Sequence, residues 1–230
     1  MKFALFGLLF LPFSSRADIV ESIEKFTDVF SISFSNSHGS TITTLEGSYD
    51  LTDTFRVFGD IDTESYWEVG VGYSFWQGES YYTENTLSAS NHRYSTGIFG
   101  AKVLNEQWAL IGDINYNYKL DIKDPFCKPA NVCLGDHLNY SPSDSIDYSL
   151  GTMWSPFQYV DLIYKINHEV GLQTNTLTFF KDVNWSLERT NTYYHETAIY
   201  FNLPYIRPSV TYTHFDKNDN YIEFGLTFDF

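Results

Sequence analysis

The last ten residues, 221–230, constrain this chain more than any other stretch. Ile222, Phe224, Leu226, Phe228 and Phe230 fall on alternate positions, with Tyr221, Glu223, Gly225, Thr227 and Asp229 between them. Successive side chains of a strand point to opposite faces, so an extended backbone here has one apolar and one polar face. A helix would scatter the same residues around its axis. The pattern recurs along the chain. Trp67, Val69, Val71, Tyr73 and Phe75 oppose Glu68, Gly70, Gly72 and Ser74. Trp108, Leu110, Ile114, Tyr116 and Tyr118 oppose Asp113, Asn115, Asn117 and Lys119. Ile146, Tyr148, Leu150 and Trp154 oppose Asp147, Ser149 and Gly151, and Val160, Leu162, Tyr164 and Ile166 oppose Asp161, Lys165 and Asn167.

Extending this reading predicts strands over 27–35, 41–51, 54–62, 66–76, 80–89, 93–103, 108–120, 145–155, 158–169, 194–203, 207–215 and 221–230. The fifth and sixth alternate poorly and are rich in Ser and Thr. Tight connections at 51–54, 77–79, 105–107, 155–158 and 204–206 occupy every second position, and the long ones are 121–144 and 170–193. Apolar faces opposed by Asp, Glu, Asn and Lys cannot all be buried against one another. Lipid outside and polar groups within resolves this, and closure pairs every backbone N–H and C=O in hydrocarbon. The expected fold is all-β: an antiparallel transmembrane β-barrel of about 12 strands, with short periplasmic turns, longer extracellular loops and both termini on the periplasmic side. The soluble alternative is a secreted β-sandwich or lipocalin-like barrel.

Composition bears on that choice. Aromatic residues make up 19% of the chain, with Tyr 18, Phe 20 and Trp 5. Transmembrane barrels use such residues as girdles at both membrane interfaces. The N-terminus reads as a targeting segment: Lys2, an apolar run over 3–13, then Ser15 and Ala17 at the −3 and −1 positions of a cleavage site. The run is too short to span a bilayer as a helix. The expected organisation is therefore a signal peptide, 1–17, followed by a single barrel domain, 18–230. A formal net charge of −15 argues against nucleic acid and against a polybasic membrane-surface protein. The expected surroundings are outer-membrane lipid and lipopolysaccharide, met through divalent cations. No pattern points to a cofactor.

The C-terminal segment, ending on Phe230 with Phe228, Leu226, Phe224 and Ile222 alternating before it, resembles the C-terminal signal of Gram-negative outer-membrane β-barrel proteins. With the signal peptide and the strand rhythm, the resemblance to that superfamily extends over the whole chain, without matching a particular porin family. It implies insertion by the β-barrel assembly machinery. Phe230→Ala, or deletion of Phe230, is expected to lower outer-membrane assembly without changing export. Normal barrel levels in membrane fractions of both variants would contradict the assignment.

Cys127 and Cys133 form a close pair in an exported protein, which favours a disulfide worth roughly 2–3 kcal/mol on the chain-entropy model. Asp136 and His137 are near, but a structural metal site needs more ligands than this stretch offers. The lumen carries the functional signal. Predicted inward acids are Glu46, Asp60, Glu68, Asp113, Asp147, Asp161, Glu169, Glu196 and Glu223; predicted inward bases are Arg56, Arg93 and Lys165. Confined carboxylates repel one another unless water, cations or bases compensate. The expected function is a narrow passive channel for small cations or neutral solutes, with Asp113 and Asp161, read as mid-strand, as leading selectivity positions. Two alternatives stand beside it. One is a structural or surface-interaction barrel with a plugged lumen. The other is a lipid-modifying enzyme or protease, for which Ser-Asn-Ser-His-Gly at 35–39, His195 with Glu196, and His214 with Asp216 are the candidate residues.

Overall fold

The computed structural model describes residues 19–27, 30–37, 40–78, 80–123, 138–179, 183–215 and 220–228. The expected signal peptide, Cys127, Cys133 and Phe230 lie outside them. One helix, α1 (Ile19–Thr27), precedes the strands. These are β1 (Phe30–Ser37), β2 (Ser40–Thr52), β3 (Phe55–Asp62), β4 (Trp67–Gln77), β5 (Tyr81–Ser90), β6 (Arg93–Asn105), β7 (Trp108–Lys119) and β8 (Ile122–Lys123). The series continues with β9 (Leu138–Ser141), β10 (Ser145–Phe157), β11 (Val160–Gly171), β12 (Thr176–Phe179) and β13 (Val183–Ser186). It ends with β14 (Asn191–Phe201), β15 (Ile206–Phe215) and β16 (Tyr221–Phe228).

Twelve of these strands close one antiparallel barrel in the order β1-β16-β15-β14-β11-β10-β7-β6-β5-β4-β3-β2. The C-terminal strand returns to the first, from Phe30↔Phe228 to Ser35↔Glu223, so the barrel has no free edge. All twelve predicted strands are present, including the two with poor alternation. Those became β5 and β6, whose inward faces carry Ser and Thr and whose outward faces carry Leu87, Tyr94 and Ile98.

Two expectations are corrected. The long connections hold strands of their own: β8, β9, β12 and β13 form a four-stranded sheet at the long-loop end. The second correction is α1, which had no counterpart in the strand reading. Nine residues make a marginal helix alone. Glu21 favours the positive end of its dipole, and Ile19 and Ile23, one turn apart, are buried inside the barrel.

The outward face is apolar and exposed: Val69, Leu87, Leu150 and Phe224 show 57%, 61%, 67% and 58% of their surface. On a soluble protein this would be an aggregation surface; on a barrel it is the lipid-facing band. Stacked Trp108 and Trp154, 5.2 Å apart, mark its short-turn end, and stacked Tyr94 and Tyr118, 6.4 Å apart, its long-loop end. Purified protein is expected to run as a compact, heat-modifiable species on gels and to need detergent for solubility. A species soluble without detergent, whose mobility heat leaves unchanged, would rule out the lipid-facing band.

Candidate functional site: the barrel lumen

The antiparallel registers decide which side chains meet inside. Arg56 on β3 pairs in register with Gly72 on β4, and Ser74, two residues on, pairs with Glu84 on β5. The Arg56 guanidinium reaches across β4 to Glu84 (2.7 Å), which also accepts from the Tyr82 hydroxyl (3.1 Å). Glycine leaves that crossing open, because a Cβ at position 72 would lie 2.3 Å from the Glu84 carboxylate, which would have to shift. Gly70 likewise leaves room for the inward ring of Phe58, over which Arg56 sits at 5.6 Å.

Four more ion pairs cross the lumen wall. Arg93 binds Glu68 (3.3 Å), Lys119 binds Glu169, Lys165 binds Glu196 (3.0 Å) and Arg207 binds Asp161 (2.8 Å). Thus Arg56, Arg93, Lys119, Lys165 and Arg207 are each taken by a carboxylate. Among the described residues, no Lys or Arg forms such a pair with Glu46, Asp60, Asp113, Asp147 or Glu223. Hydroxyls and amides partly serve these acids: Ser31 donates to Glu46 (2.9 Å), Asn117 to Asp147 (2.6 Å), and Ser149 and Asn115 to Asp113. Glu46, Asp60 and Glu68 form one row across β2, β3 and β4, and one buried oxygen of Asp60 has no hydrogen-bond partner. At the turn above this row, burial and a hydrogen bond to Glu68 push the Tyr66 hydroxyl up to about 12, so it stays a donor.

Space inside is unevenly distributed. A cavity of about 270 Å³ runs along β14, β15, β16, β1 and β2. Glu46, Glu196, Glu223, Lys165 and Tyr221 line it, with a wall of small hydroxyls from Ser31, Ser33, Ser209, Thr211 and Thr213. A larger apolar depression of about 1070 Å³ lies among the outward side chains of β2 to β7, around Val57, Val69, Leu87 and Tyr94.

The short-turn end of the lumen is filled. Ile19 and Ile23 of α1 pack on Tyr82, Ala101, Ala109, Ile111, Met153, Ile163 and Ala198. Ser22 donates to Asp161 (3.1 Å), which also accepts from Ser155 (2.6 Å), Asn202 (2.8 Å) and Arg207 (2.8 Å). Tyr200 stacks on the Arg207 guanidinium at 4.4 Å. Burial of this layer is complete, with Asp161 at 0% and Arg207 at 1% exposure.

No family model matches the chain, and comparison with curated proteins yields no sequence match. Solved structures do match. The KdgM porin aligns over 88% of this chain and 99% of its own, with TM-score 0.65 at 8% identity. The NanC porin aligns over 87% and 100%, with TM-score 0.64 at 11% identity. An outer-membrane channel from Pseudomonas putida F1 aligns over 88% and 94%, with TM-score 0.61 at 12% identity. The chain has the fold of an outer-membrane β-barrel.

Within that barrel, Glu46, Arg56, Asp60, Glu68, Asp113, Asp147, Asp161, Lys165, Glu196 and Glu223 occupy inward register positions, as do Arg93 and Glu169. Asp161 is not mid-strand. It is the second residue of β11, sealed beneath α1, so it belongs to the closed end. Two inward charges were missed: Arg207 has no clear alternation around it, and Glu84 lies on poorly patterned β5. Lys119, read on the polar face of its strand, belongs with the inward bases although it was not counted among them. Ile222, Phe224, Leu226 and Phe228 lie on the other, outward face of β16, with Phe228 beside Phe30.

Of the enzymatic candidates, only His195 with Glu196 lies wholly within the described residues, and that pair does not assemble. His195 and Glu196 are consecutive on one strand and so point to opposite faces. His168, His195 and His214 bond to Tyr148 and Asn191, Tyr164, and Asn220 respectively. His38 and Asp216 lie outside the described residues.

Proposed function

We propose that the chain is a narrow outer-membrane channel that favours small cations, and after them neutral solutes, over anions. The observation that supports this most is the unequal pairing inside the lumen. Among the described residues, each inward base of the barrel wall forms an ion pair with an acid, while Glu46, Asp60, Asp113, Asp147 and Glu223 have no Lys or Arg in such a pair. A narrow tube with low-dielectric walls concentrates counter-ions opposite such charges. One fold neighbour, the KdgM porin, has been solved in complex with disordered oligogalacturonate, a polyanion. The carboxylate excess here disfavours cargo of that charge. In this reading the short turns face the periplasm, the signal peptide directs export, and the assembly machinery inserts the barrel. The outer surface meets lipid and lipopolysaccharide, and Cys127 and Cys133 are bridged on the extracellular side.

The test is single-channel recording in planar bilayers under a KCl gradient. A reversal potential of cation-selective sign is expected, and an anion-selective pore would overturn the reading. One observation favours a second reading, a structural or surface-interaction barrel with a plugged lumen: α1 fills the short-turn mouth. A barrel that stays non-conducting with α1 unseated would select it.

A further inference from the structure

We infer that His195 and His214 form a binding site for one divalent transition-metal ion on the outer face of the barrel, at its long-loop end. The inference does not depend on whether the lumen conducts. The two histidines are direct register partners on neighbouring strands, near the start of β14 and the end of β15. Both belong to the outward face, because Glu196 and Thr213, their neighbours in sequence, line the lumen cavity. Their imidazole centres lie 6.3 Å apart. Lipid-facing positions call for apolar side chains and the membrane rim for Tyr or Trp, so neither setting requires a facing pair of imidazoles.

The hydrogen bonds of the pair prepare it for a cation. The Asn220 side-chain oxygen accepts from the Phe215 amide (3.1 Å), so the His214 Nδ1 facing the same oxygen (2.8 Å) must donate to it. The neutral ring then carries its proton on Nδ1 and a lone pair on Nε2. On the other side, the Tyr164 hydroxyl lies 2.7 Å from His195 Nδ1 and can accept its proton in the same way. These two partners flank the pair from opposite sides, Tyr164 on β11 and Asn220 at the start of β16, while β14 and β15 are adjacent between them. The nitrogens of an imidazole point nearly opposite ways, so each Nε2 is turned towards the other ring. Among the described residues, no hydrogen bond engages either Nε2. His168 differs, because Tyr148 takes its Nδ1 and Asn191 its Nε2. Imidazole nitrogens suit Zn2+, Cu2+ and Ni2+, whereas Ca2+ and Mg2+ prefer oxygen. At an ion-to-nitrogen distance of about 2.0–2.1 Å, two rings sharing one ion stand roughly 5–6 Å apart. A small turn about χ2, a broad torsion in histidine, closes the present separation. No third His, Cys, Asp or Glu joins the pair among the described residues, so water completes the coordination. Tyr164 and Asn220 hold the ligand rings in place, as outer partners do in metal sites.

The experiment titrates Cu2+ into the untagged, detergent-folded barrel in a Cys127→Ser, Cys133→Ser background. One bound ion per barrel is expected, and its electron paramagnetic resonance spectrum should show coupling to two imidazole nitrogens. Zn2+ should displace it. His195→Phe and His214→Phe keep a ring at the rim but remove the ligands, and each is expected to weaken binding at least about tenfold. Asn220→Ala, which removes the acceptor of the His214 proton, is expected to weaken it about tenfold as well. His168→Phe should leave the affinity unchanged. Heat-modifiable migration shows that each variant has folded, and the spectrum of the parent decides the site even where a variant has not. No bound Cu2+, coupling to a single nitrogen, or binding that survives both His195→Phe and His214→Phe overturns the site. An equal loss in His168→Phe does so too.

Discussion

Asp161→Asn is expected to lower the stability of the folded barrel by about 3–5 kcal/mol, the usual cost of removing one partner from a buried ion pair. Four donors converge on this carboxylate: Arg207, Asn202, Ser155 and Ser22. Asparagine supplies one acceptor oxygen and turns an NH2 group towards donors. Arg207, at 1% exposure, then loses the carboxylate that neutralises it. The measurement is the urea midpoint of the detergent-folded barrel. Glu196→Gln is the control. Its pair with Lys165 is about one-fifth exposed, so its loss should cost about 1 kcal/mol or less. A midpoint for Asp161→Asn close to that of Glu196→Gln would show that the sealed layer contributes nothing special.

The same residue shows where strand alternation stops being informative. Alternation locates the wall because lipid outside and polar groups within impose a period of two on every strand. It therefore anticipated β4, β7, β10, β11 and β16 well, and the inward register of Glu46, Asp60 and Glu68 with them. It says nothing about depth along the barrel or about partners several strands away. Asp161 and Arg207 lie 46 positions apart and meet across β14, which sits between their strands in the ladder. A signal for α1 was present in the chain, as a failure of the pattern. Trp108, Ala109, Leu110 and Ile111 are consecutive and apolar, as are Leu162 with Ile163 and Ala198 with Ile199. Where both faces of a barrel strand are apolar, something other than water must lie inside. Ile19 and Ile23, spaced one helical turn apart, are what lies there. The loop sheet left less trace, because its strands run for only two to four residues.

Combined replacement of Glu46 and Glu223 by Gln and Asp60 by Asn is expected to remove most of the cation preference, lowering the cation-to-anion permeability ratio roughly tenfold. Asp113 and Asp161 are weaker choices than their sequence positions imply. Asp113 is held by Ser149 and Asn115, and Asp161 is neutralised by Arg207 and closed off from the lumen. Glu46 and Glu223 instead line the open cavity, and Asp60 stands beside Glu46 in the β2–β3 register. None of the three has a Lys or Arg partner among the described residues. Amides keep the shape and most of the hydrogen bonding, so the barrel should fold and conduct while the field inside it falls. The reversal potential in a KCl gradient should move towards zero, and raising the salt on both sides should shrink the wild-type offset in the same direction. A triple variant as selective as the parent would mean that ions discriminate elsewhere, with the long-loop sheet as the remaining place to look. The opposite shift, towards stronger cation selectivity, would overturn the assignment, because removing negative charge from the lumen can only weaken its attraction for cations.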